Sequence, residues 1–383
     1  MSAQEVGRKL LGEVEEADLS KIFSELRQMC AISPTTTTGI PAIDDLANIF
    51  THPQPVQRSS SPTLDYDGFS HVPRPVLRTN KHLCLEVLST ISGEGKSLLL
   101  YSMIARAILP PSISGISLQG QNRAVVYFDT DGNFSIARLV KLAITHVAAC
   151  AGRMTREVSD DLDTAVQDMI ETSLQHLHVF FPQTIDSLIS SIESLTDYLK
   201  DKNRHLSMHR NVHSIMLDSA SAFYWADRHE TDLANVPDTI EEATQRRGVR
   251  AISAYPALRS VLTRASRQLQ CPIIYTATDL QPKQLQMTVR SLPSSLPKSW
   301  HTFPDIRLLV QKRPVRPFPV ATSANEAARD ANDRNAAVDN APFDVVLNQE
   351  GKEDWSPEVR DQIARTSRGR FVMRISEDKV EFD

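Results

Sequence analysis

The chain has 383 residues, enough for two or three domains or for one large α/β domain with inserts. Apolar residues make up 41% of the total, which is typical of a globular protein, but no apolar stretch is long enough to span a membrane. The four cysteines are widely scattered and the acidic start lacks the pattern of a secretion or transit signal. We therefore expect an intracellular protein with reduced thiols, and neither a zinc site nor a disulfide framework.

The net charge of -5 hides an uneven distribution of charge along the chain. Between Thr244 and Arg316 there are thirteen basic residues and only two acidic ones, Asp279 and Asp305. Such a segment predicts a surface that binds a polyanion. The alternative is a solvated surface whose arginines are balanced by acidic residues elsewhere in the fold.

The first part of the chain divides into two segments of different composition. Within residues 1–32, leucines and other apolar residues recur every three or four positions, which predicts an amphipathic helix that packs on the body or on a partner. Residues 33–80 are rich in Pro, Ser and Thr, a composition typical of a flexible insert.

Residues 81–320 contain short apolar runs separated by segments of helical length. The runs are LCLEVL, AVVYF, LHVFF, SIMLD, PIIYTAT and IRLLV. Helices are predicted over 96–109, 134–150, 184–200 and 255–270. Strands that are apolar throughout and alternate with helices predict an α/β core, with a mainly parallel central sheet covered by helices on both faces.

The last part of the chain changes composition twice. Residues 321–369 are poor in apolar residues and carry ten acidic residues, which predicts a second, acidic and disordered insert. Residues 370–383 alternate apolar and polar positions around a short polar turn. That pattern predicts a C-terminal hairpin that completes the core.

The octet TISGEGKS, residues 90–97, lies between the first predicted strand and a helix, as a P-loop does. Gly93, Gly95, Lys96 and Ser97 occupy the positions expected of it, with Glu94 between the glycines, whereas Thr90 replaces the first glycine. In a P-loop the lysine reaches the β- and γ-phosphates and the serine hydroxyl binds Mg²⁺. The alternative is a chance GKS sequence at the start of a helix.

Acidic residues follow two other predicted strands. Asp218 ends an apolar strand, the position of a Walker B carboxylate that holds Mg²⁺. Asp129 and Asp131 come directly after another strand, where a general base for water could face the γ-phosphate. Each could instead cap the following helix, which is the commoner role of an aspartate there. Together with the octet, they predict a magnesium–nucleotide site.

Several longer stretches resemble the RecA-like recombinases, and in particular their eukaryotic paralogues. They are LLYSMIARAILP, VVYFDTDGNFSIARLVKL, LDSASAFYWADR, KSWHTFPDIRLLVQK and RISEDKVEF. The resemblance implies a RecA-like P-loop NTPase core that uses ATP and Mg²⁺. It also implies a nuclear protein of homologous recombination that works with another RecA-type paralogue and assists recombinase filament assembly on single-stranded or forked DNA. The two inserts resemble nothing in the family.

The resemblance assigns roles to individual residues and reveals three departures. Asp131 matches the family's catalytic glutamate, Asp279 takes the place of a nucleotide-sensing glutamine, and Thr90 that of a glycine. Aspartate is one methylene shorter than glutamate, which withdraws its carboxylate by roughly 1 Å, and such a displacement can cost about a hundredfold in rate. We therefore expect weak or absent ATP hydrolysis, while the remaining glycines and Lys96 still offer donors to phosphate.

In the family two loops face DNA, which here means roughly residues 228–250 and 280–298. Both loops lie in or beside the basic segment. The candidate phosphate contacts are Arg246, Arg247, Arg250, Lys283, Arg290 and Lys298.

Three hypotheses about function follow. The first is a weakly catalytic or non-catalytic subunit of a recombination-repair complex that binds DNA. The second is an active DNA-dependent ATPase whose site is completed by a neighbouring subunit. The third is a scaffold with a dead nucleotide pocket and no DNA contact of its own.

Overall fold

The computed structural model describes residues 38–52, 82–152, 160–234, 253–280, 291–317, 319, 321–366, 369–376 and 379–383. These residues all belong to one compact unit, Thr38–Asp383. The predicted amphipathic helix at the start of the chain and most of the first predicted insert lie outside the described residues. In the described ranges, no helix combines the length and apolar character needed to cross a membrane.

The strands of the described residues form one large sheet and one small hairpin. They are β1 (Cys84–Ser89), β2 (Ser112–Ile113), β3 (Ile116–Ser117), β4 (Ala124–Asp129), β5 (Leu177–Phe180), β6 (Val212–Asp218), β7 (Ile273–Thr278), β8 (Ile306–Lys312), β9 (Phe343–Leu347), β10 (Arg370–Ile375) and β11 (Val380–Phe382). The large sheet has the order β11-β10-β9-β8-β1-β7-β6-β4-β5, and β2 pairs with β3.

Helices cover both faces of the large sheet. They are α1 (Pro41–Thr51), α2 (Lys96–Ile108), α3 (Ile136–Ala151), α4 (Asp160–Leu174), α5 (Ile185–Lys200), α6 (Tyr224–Ala234), α7 (Tyr255–Leu269), α8 (Ala324–Arg329), α9 (Ala331–Asp339) and α10 (Pro357–Thr366). Helices α1 to α4 contribute to one hydrophobic core, and α5 and α7 to the other.

Strand β1 shows why the apolar runs of this sequence form central strands. Its six residues are all buried. Leu85 and Val87 belong to the core on one face, and Cys84 and Leu88 to the core on the other. Because successive side chains of a strand point to opposite faces, a strand between two helical layers must be apolar at nearly every position. Strands β8, β1, β7, β6, β4 and β5 are mutually parallel, which confirms the predicted α/β core.

The six predicted strands and four predicted helices of the core are present, with ends displaced by at most two residues. The predicted C-terminal hairpin is also confirmed, because β10 and β11 pair antiparallel. It joins the sheet through β9, which pairs antiparallel with both β10 and β8. The fold is thus a parallel core with an antiparallel extension at one edge.

Two segments predicted to be flexible or disordered contain ordered elements, which corrects those predictions locally. Helix α1 lies within 33–80 and buries Ile43 and Leu46 in the core. Strand β9 lies within 321–369, and its buried residues alternate with partly exposed ones. The low average apolar content of each segment obscured a short element with a regular pattern. The domain boundaries themselves stay predictions.

One buried ion pair lies inside the sheet. Arg307 Nε in β8 is 3.0 Å from Glu86 Oε2 in β1, and the two side chains are 5% and 0% exposed. The contact is close but is not aligned as a hydrogen bond. Ser294 donates to the other oxygen of Glu86 at 3.3 Å. Burial raises the pKa of Glu86, and the charge of Arg307 opposes that shift.

Removing Arg307 should be strongly destabilising, because it leaves a buried carboxyl group without its counter-charge. We expect Arg307→Met to lower the free energy of unfolding by about 3–5 kcal/mol, measured by chemical denaturation. The control is Arg264→Met, which breaks the exposed ion pair with Glu193 and should cost less than about 1 kcal/mol. Equal losses in the two variants would contradict this account of the buried pair.

Candidate nucleotide-binding site

A cleft of about 710 Å³ opens where the carboxyl ends of β1, β4, β6 and β7 meet. In a parallel sheet these ends lie at the same edge, so residues distant in sequence come together there. Seven of the predicted site residues line the cleft: Gly93, Glu94, Gly95, Lys96, Ser97, Asp131 and Asp218. The structure therefore brings the last six residues of the octet, 92–97, together with Asp131 and Asp218.

The loop between β1 and α2 takes its shape from two glycines. Gly93 and Gly95 both have φ of +81°, a left-handed conformation that favours glycine. Gly95 is the N-cap of α2, and it has no side chain that could occupy the first amide groups of the helix. Those amide groups and the helix dipole face the cleft, an arrangement that favours an anion.

Lys96 is buried and is held by hydroxyl groups. Its Nζ donates to Ser89 Oγ at 2.5 Å and to Thr278 Oγ1 at 3.1 Å. Among the described residues, no carboxylate oxygen lies within 4.0 Å of Lys96 Nζ, the distance limit for an ion pair. Burial lowers the pKa of Lys96, and the carboxylates of the cleft, Asp218 first, oppose that shift. The ammonium group is therefore positioned by neutral partners and attracted to negative charge.

Asp218, at the end of β6, is held by two hydroxyl donors. Tyr127 donates to Oδ2 at 2.7 Å and Thr276 donates to Oδ1 at 2.5 Å. Burial, followed by the charge of Asp218, raises the pKa of Tyr127, which keeps this phenol a donor. An oriented carboxylate beside the Ser97 hydroxyl is a donor set that suits Mg²⁺, which prefers hard oxygen ligands.

The two acids after β4 have different surroundings. Asp129 is buried and accepts from the amide groups of Asn133 and Phe134, at 3.2 and 2.8 Å, so its role is to shape the turn before α3. Asp131 reaches the cleft, although the residue as a whole is exposed. Partial desolvation of its carboxyl group raises the pKa of Asp131, and a hydrogen bond with Ser219 opposes this.

Thr90 and Glu94 contact each other inside the loop. The amide and hydroxyl groups of Thr90 donate to Glu94 Oε2 at 3.0 and 3.2 Å, and the amide of Ile91 does so at 3.4 Å. Glu94 is only 6% exposed. The threonine that replaces the first glycine therefore helps to close the loop through this carboxylate. Thr90 itself is not among the residues that line the cleft.

The prediction that Asp279 lies near phosphate is not supported by its position. Its carboxylate accepts a hydrogen bond from Ser295 and does not line the cleft. Thr278, one residue earlier, points into the cleft and contacts Lys96. Neighbouring side chains along an extended chain point to opposite sides, so when Thr278 points into the cleft, Asp279 points away from it.

Sequence reasoning missed several residues of the site. Thr276 and Tyr127 lie within strands, and only the three-dimensional register shows that they hold Asp218. Other lining residues come from distant segments: Asn133, Arg138, Thr278, Lys312, Asp339, Asn340, Phe343, Ile375 and Ser376. The last five come from segments that were assigned to the acidic insert or to the hairpin.

Of the predicted DNA contacts, Lys298 is described, and it is exposed at the start of a short 3₁₀ helix, Lys298–Trp300. Arg246, Arg247, Arg250, Lys283 and Arg290 lie outside the described residues. Three other arginines of the basic segment are balanced by acidic residues elsewhere in the fold. These pairs are Arg264–Glu193, Arg307–Glu86 and Arg313–Asp344. For these three arginines, the alternative to a polyanion-binding surface, balance by acidic residues elsewhere in the fold, therefore holds.

Comparison with known proteins gives a partial match. The chain is similar to a DNA repair protein. Over 136 residues it is 26% identical to DNA repair protein XRCC2 of the mouse, Mus musculus. The match covers 36% of this chain and 39% of the mouse protein, so the chain spans about two fifths of the length of that relative. No protein-family model matches. The match supports, at a coarse level, the resemblance to RecA-like recombination paralogues.

A methyl group added at Gly95 should disturb the site more than one added at Gly93. Both glycines have the same φ, so both substitutions carry the same left-handed strain of about 1–2 kcal/mol. At Gly95 the new Cβ would also lie 2.7 Å from Ile375 Cδ1, whereas nothing lies within 4 Å at Gly93. Because Ile375 Cδ1 is the end of a flexible side chain that can shift, we expect Gly95→Ala to lose about a further 1 kcal/mol of unfolding free energy.

A double-mutant cycle provides the control for this prediction. In an Ile375→Ala background the additional cost of Gly95→Ala should fall, while the cost of Gly93→Ala should not change. If Gly95→Ala and Gly93→Ala are equally destabilising in both backgrounds, the contact between Gly95 and the hairpin does not contribute to the loss of unfolding free energy.

Proposed function

We propose that this chain is a RecA-fold subunit of homologous-recombination DNA repair, a counterpart of the relative described above. It binds Mg²⁺–ATP in the cleft, turns it over slowly or not at all, and assists recombinase filament assembly on single-stranded or forked DNA. One observation carries the nucleotide part. The glycine loop, Lys96, Ser97 and Asp218 converge at the N-terminus of α2.

The charges of the cleft are arranged to bind a phosphate chain together with a cation. The amide groups at the start of α2 and the Lys96 ammonium supply positive charge at one point. Asp218 and Ser97 also line the cleft, and their oxygen atoms would hold a magnesium ion, whose charge would offset that of the phosphates. Within the described ranges, the hydrogen bonds of Lys96 go to neutral hydroxyls, so its charge is available to the phosphates.

Slow turnover follows from the position of the candidate base. Asp131 is the acid of the cleft that could orient an attacking water, and its side chain is one methylene shorter than a glutamate. It is also exposed, so solvent weakens its electrostatic contribution. Phosphate binding depends on the loop and Lys96, whereas hydrolysis also depends on this carboxylate. The two properties can therefore be separated in one protein.

The family resemblance supports the other parts of the proposal. It implies a nuclear protein that forms a hetero-oligomer with another RecA-type paralogue, and the similarity to a mouse DNA repair protein agrees with the cellular process. The basic segment supplies sequence-independent phosphate contacts for DNA. The active ATPase and the pure scaffold stay as the two alternatives.

Nucleotide binding should depend on Lys96. We expect Lys96→Ala to weaken Mg²⁺–ATP binding at least tenfold, measured by calorimetry on the purified chain, because it removes a charged phosphate contact. Lys200→Ala, an exposed lysine at the end of α5, should bind as the wild type does. Binding that survives Lys96→Ala unchanged would refute the assignment, and no binding by the wild type would favour the scaffold. Fast turnover that Lys96→Ala abolishes would favour the active ATPase.

DNA binding should depend on the basic residues after α6. We expect the double variant Arg246→Glu with Arg247→Glu to bind a single-stranded oligonucleotide at least tenfold more weakly and with a shallower salt dependence, measured by fluorescence anisotropy. Arg264→Glu is the control, because Arg264 is paired with Glu193 and should contribute little. Equal affinity of both variants and the wild type would favour the scaffold instead.

A further inference from the structure

The cleft has two chemically different sides, which lie on opposite sides of β1 in the sheet. Strands β7, β6 and β4 lie on one side and lead to Asp218 and Asp131. Strands β8, β9 and β10 lie on the other side. Among the described lining residues, Asp218 is the carboxylate that ends a strand, and it lies on the first side, so we place a magnesium ion and the terminal phosphates there. The rest of a nucleotide must then extend from the loop toward β8, β9 and β10.

The side formed by β8, β9 and β10 presents an apolar wall to the loop. Ile375, Met373 and Phe343 are the three side chains nearest to the Cβ position of Gly95, at 2.7, 3.1 and 3.5 Å. Phe343 and Ile375 also line the cleft. Lys312 places its ammonium 5.4 Å from the centre of the Phe343 ring. A flat apolar ligand can therefore be covered by hydrocarbon directly beside the phosphate loop.

Polar groups surround this wall. Asp339, Asn340 and Ser376 line the same side of the cleft and carry acceptors and donors for hydroxyl and amine groups. The amide nitrogen of Asn340 donates to the carbonyl of Ala336 at 2.9 Å. That bond uses one of its two N–H groups and leaves the other, and the amide oxygen, for a ligand. A carboxamide that offers one donor and one acceptor matches an adenine edge, whereas the corresponding guanine edge presents two acceptors.

We propose that Phe343, Ile375 and Asn340 form the nucleoside-binding end of the cleft, and that Asn340 selects adenine over guanine. This inference rests on the proposed nucleotide binding and assigns base recognition to the antiparallel extension. Phe343 and Ile375 supply apolar surface for the base, and Asn340 contacts its edge. The extension thereby links the C-terminal hairpin to the nucleotide.

The test is calorimetry on the full-length chain with three probes in the presence of Mg²⁺: ATP, GTP and inorganic tripolyphosphate. We expect the wild type to bind ATP about tenfold more tightly than GTP, the size expected of one paired amide–base contact. Asn340→Ala should reduce this ratio to within about twofold, and it should leave the affinity for tripolyphosphate unchanged. Asn325→Ala, an exposed asparagine of α8 that does not line the cleft, is the matched control.

The outcomes separate this inference from the proposed function. If the wild type binds ATP and tripolyphosphate but Asn340→Ala keeps the wild-type preference, the base assignment is overturned and nucleotide binding stands. If the wild type binds ATP and GTP equally, the assignment is also overturned. If the wild type binds none of the three probes, both proposals are overturned.

A second variant tests the apolar wall without touching a hydrogen bond. Ile375→Ala should weaken ATP and GTP binding together, by about threefold to tenfold, and should leave tripolyphosphate binding unchanged. Circular dichroism confirms that the variant is folded. Loss of tripolyphosphate binding in a folded Ile375→Ala chain would mean that this residue supports the loop and not the base, which would overturn its assignment.

Discussion

The site depends on a buried lysine whose hydrogen-bond partners, among the described residues, are neutral hydroxyl groups. Hydroxyl groups at the ends of β1 and β7 fix the Lys96 ammonium, but they do not neutralise it. Burial lowers its pKa because it disfavours the charged form, and the carboxylates of the cleft, Asp218 first, oppose that shift without cancelling it. A phosphate group placed at the start of α2 would supply further negative charge. The protein thus holds a cation at a cost in stability, and an anionic ligand would offset the cost.

The sheet topology determines how much of the chain contributes to this one point. The parallel strands bring their ends to a common edge, and the antiparallel extension returns to the same edge because β9 begins where β8 ends. Phe343 pairs with Lys312, and Met373 pairs with Phe343. Residues from the last tenth of the chain thereby pack on Gly95. The hairpin lines the candidate nucleotide-binding cleft and also forms an edge of the sheet.

The parallel core was predictable because its signals are local. An apolar run of five or six residues suits a strand with both faces covered, and β1, β4, β6, β7 and β8 met that condition, whereas the edge strand β5 met it only in part. The octet predicted the loop between β1 and α2, and Asp131 and Asp218 line the same cleft as that loop. In contrast, β9 and α1 are short elements within polar sequence, and their patterns were too brief to outweigh the composition around them.

The site residues that sequence reasoning missed were of another kind. Tyr127 and Thr276 are ordinary strand residues, and their contacts with Asp218 depend on the register between neighbouring strands. Asn340, Phe343 and Ile375 depend on the return of the chain from more than two hundred residues away. No spacing within the sequence encodes either relationship. Asp279 shows the opposite error, a residue that was predicted for the site but does not line the cleft. Its neighbour Thr278 contacts Lys96 there, whereas Asp279 bonds with Ser295.

The departures from the recombinase pattern have structural uses that explain how the fold tolerates them. Thr90 contributes two of the four hydrogen bonds that hold Glu94, and Asp279 accepts a hydrogen bond from Ser295 and does not line the cleft. Neither change adds an obstacle to phosphate at the start of α2. Asp131 is the departure that lies in the cleft, and it affects the position of a base for water. Under the proposed function, a chain that keeps its anion site and changes its base would bind a nucleotide but hydrolyse it slowly, because binding and hydrolysis depend on different side chains.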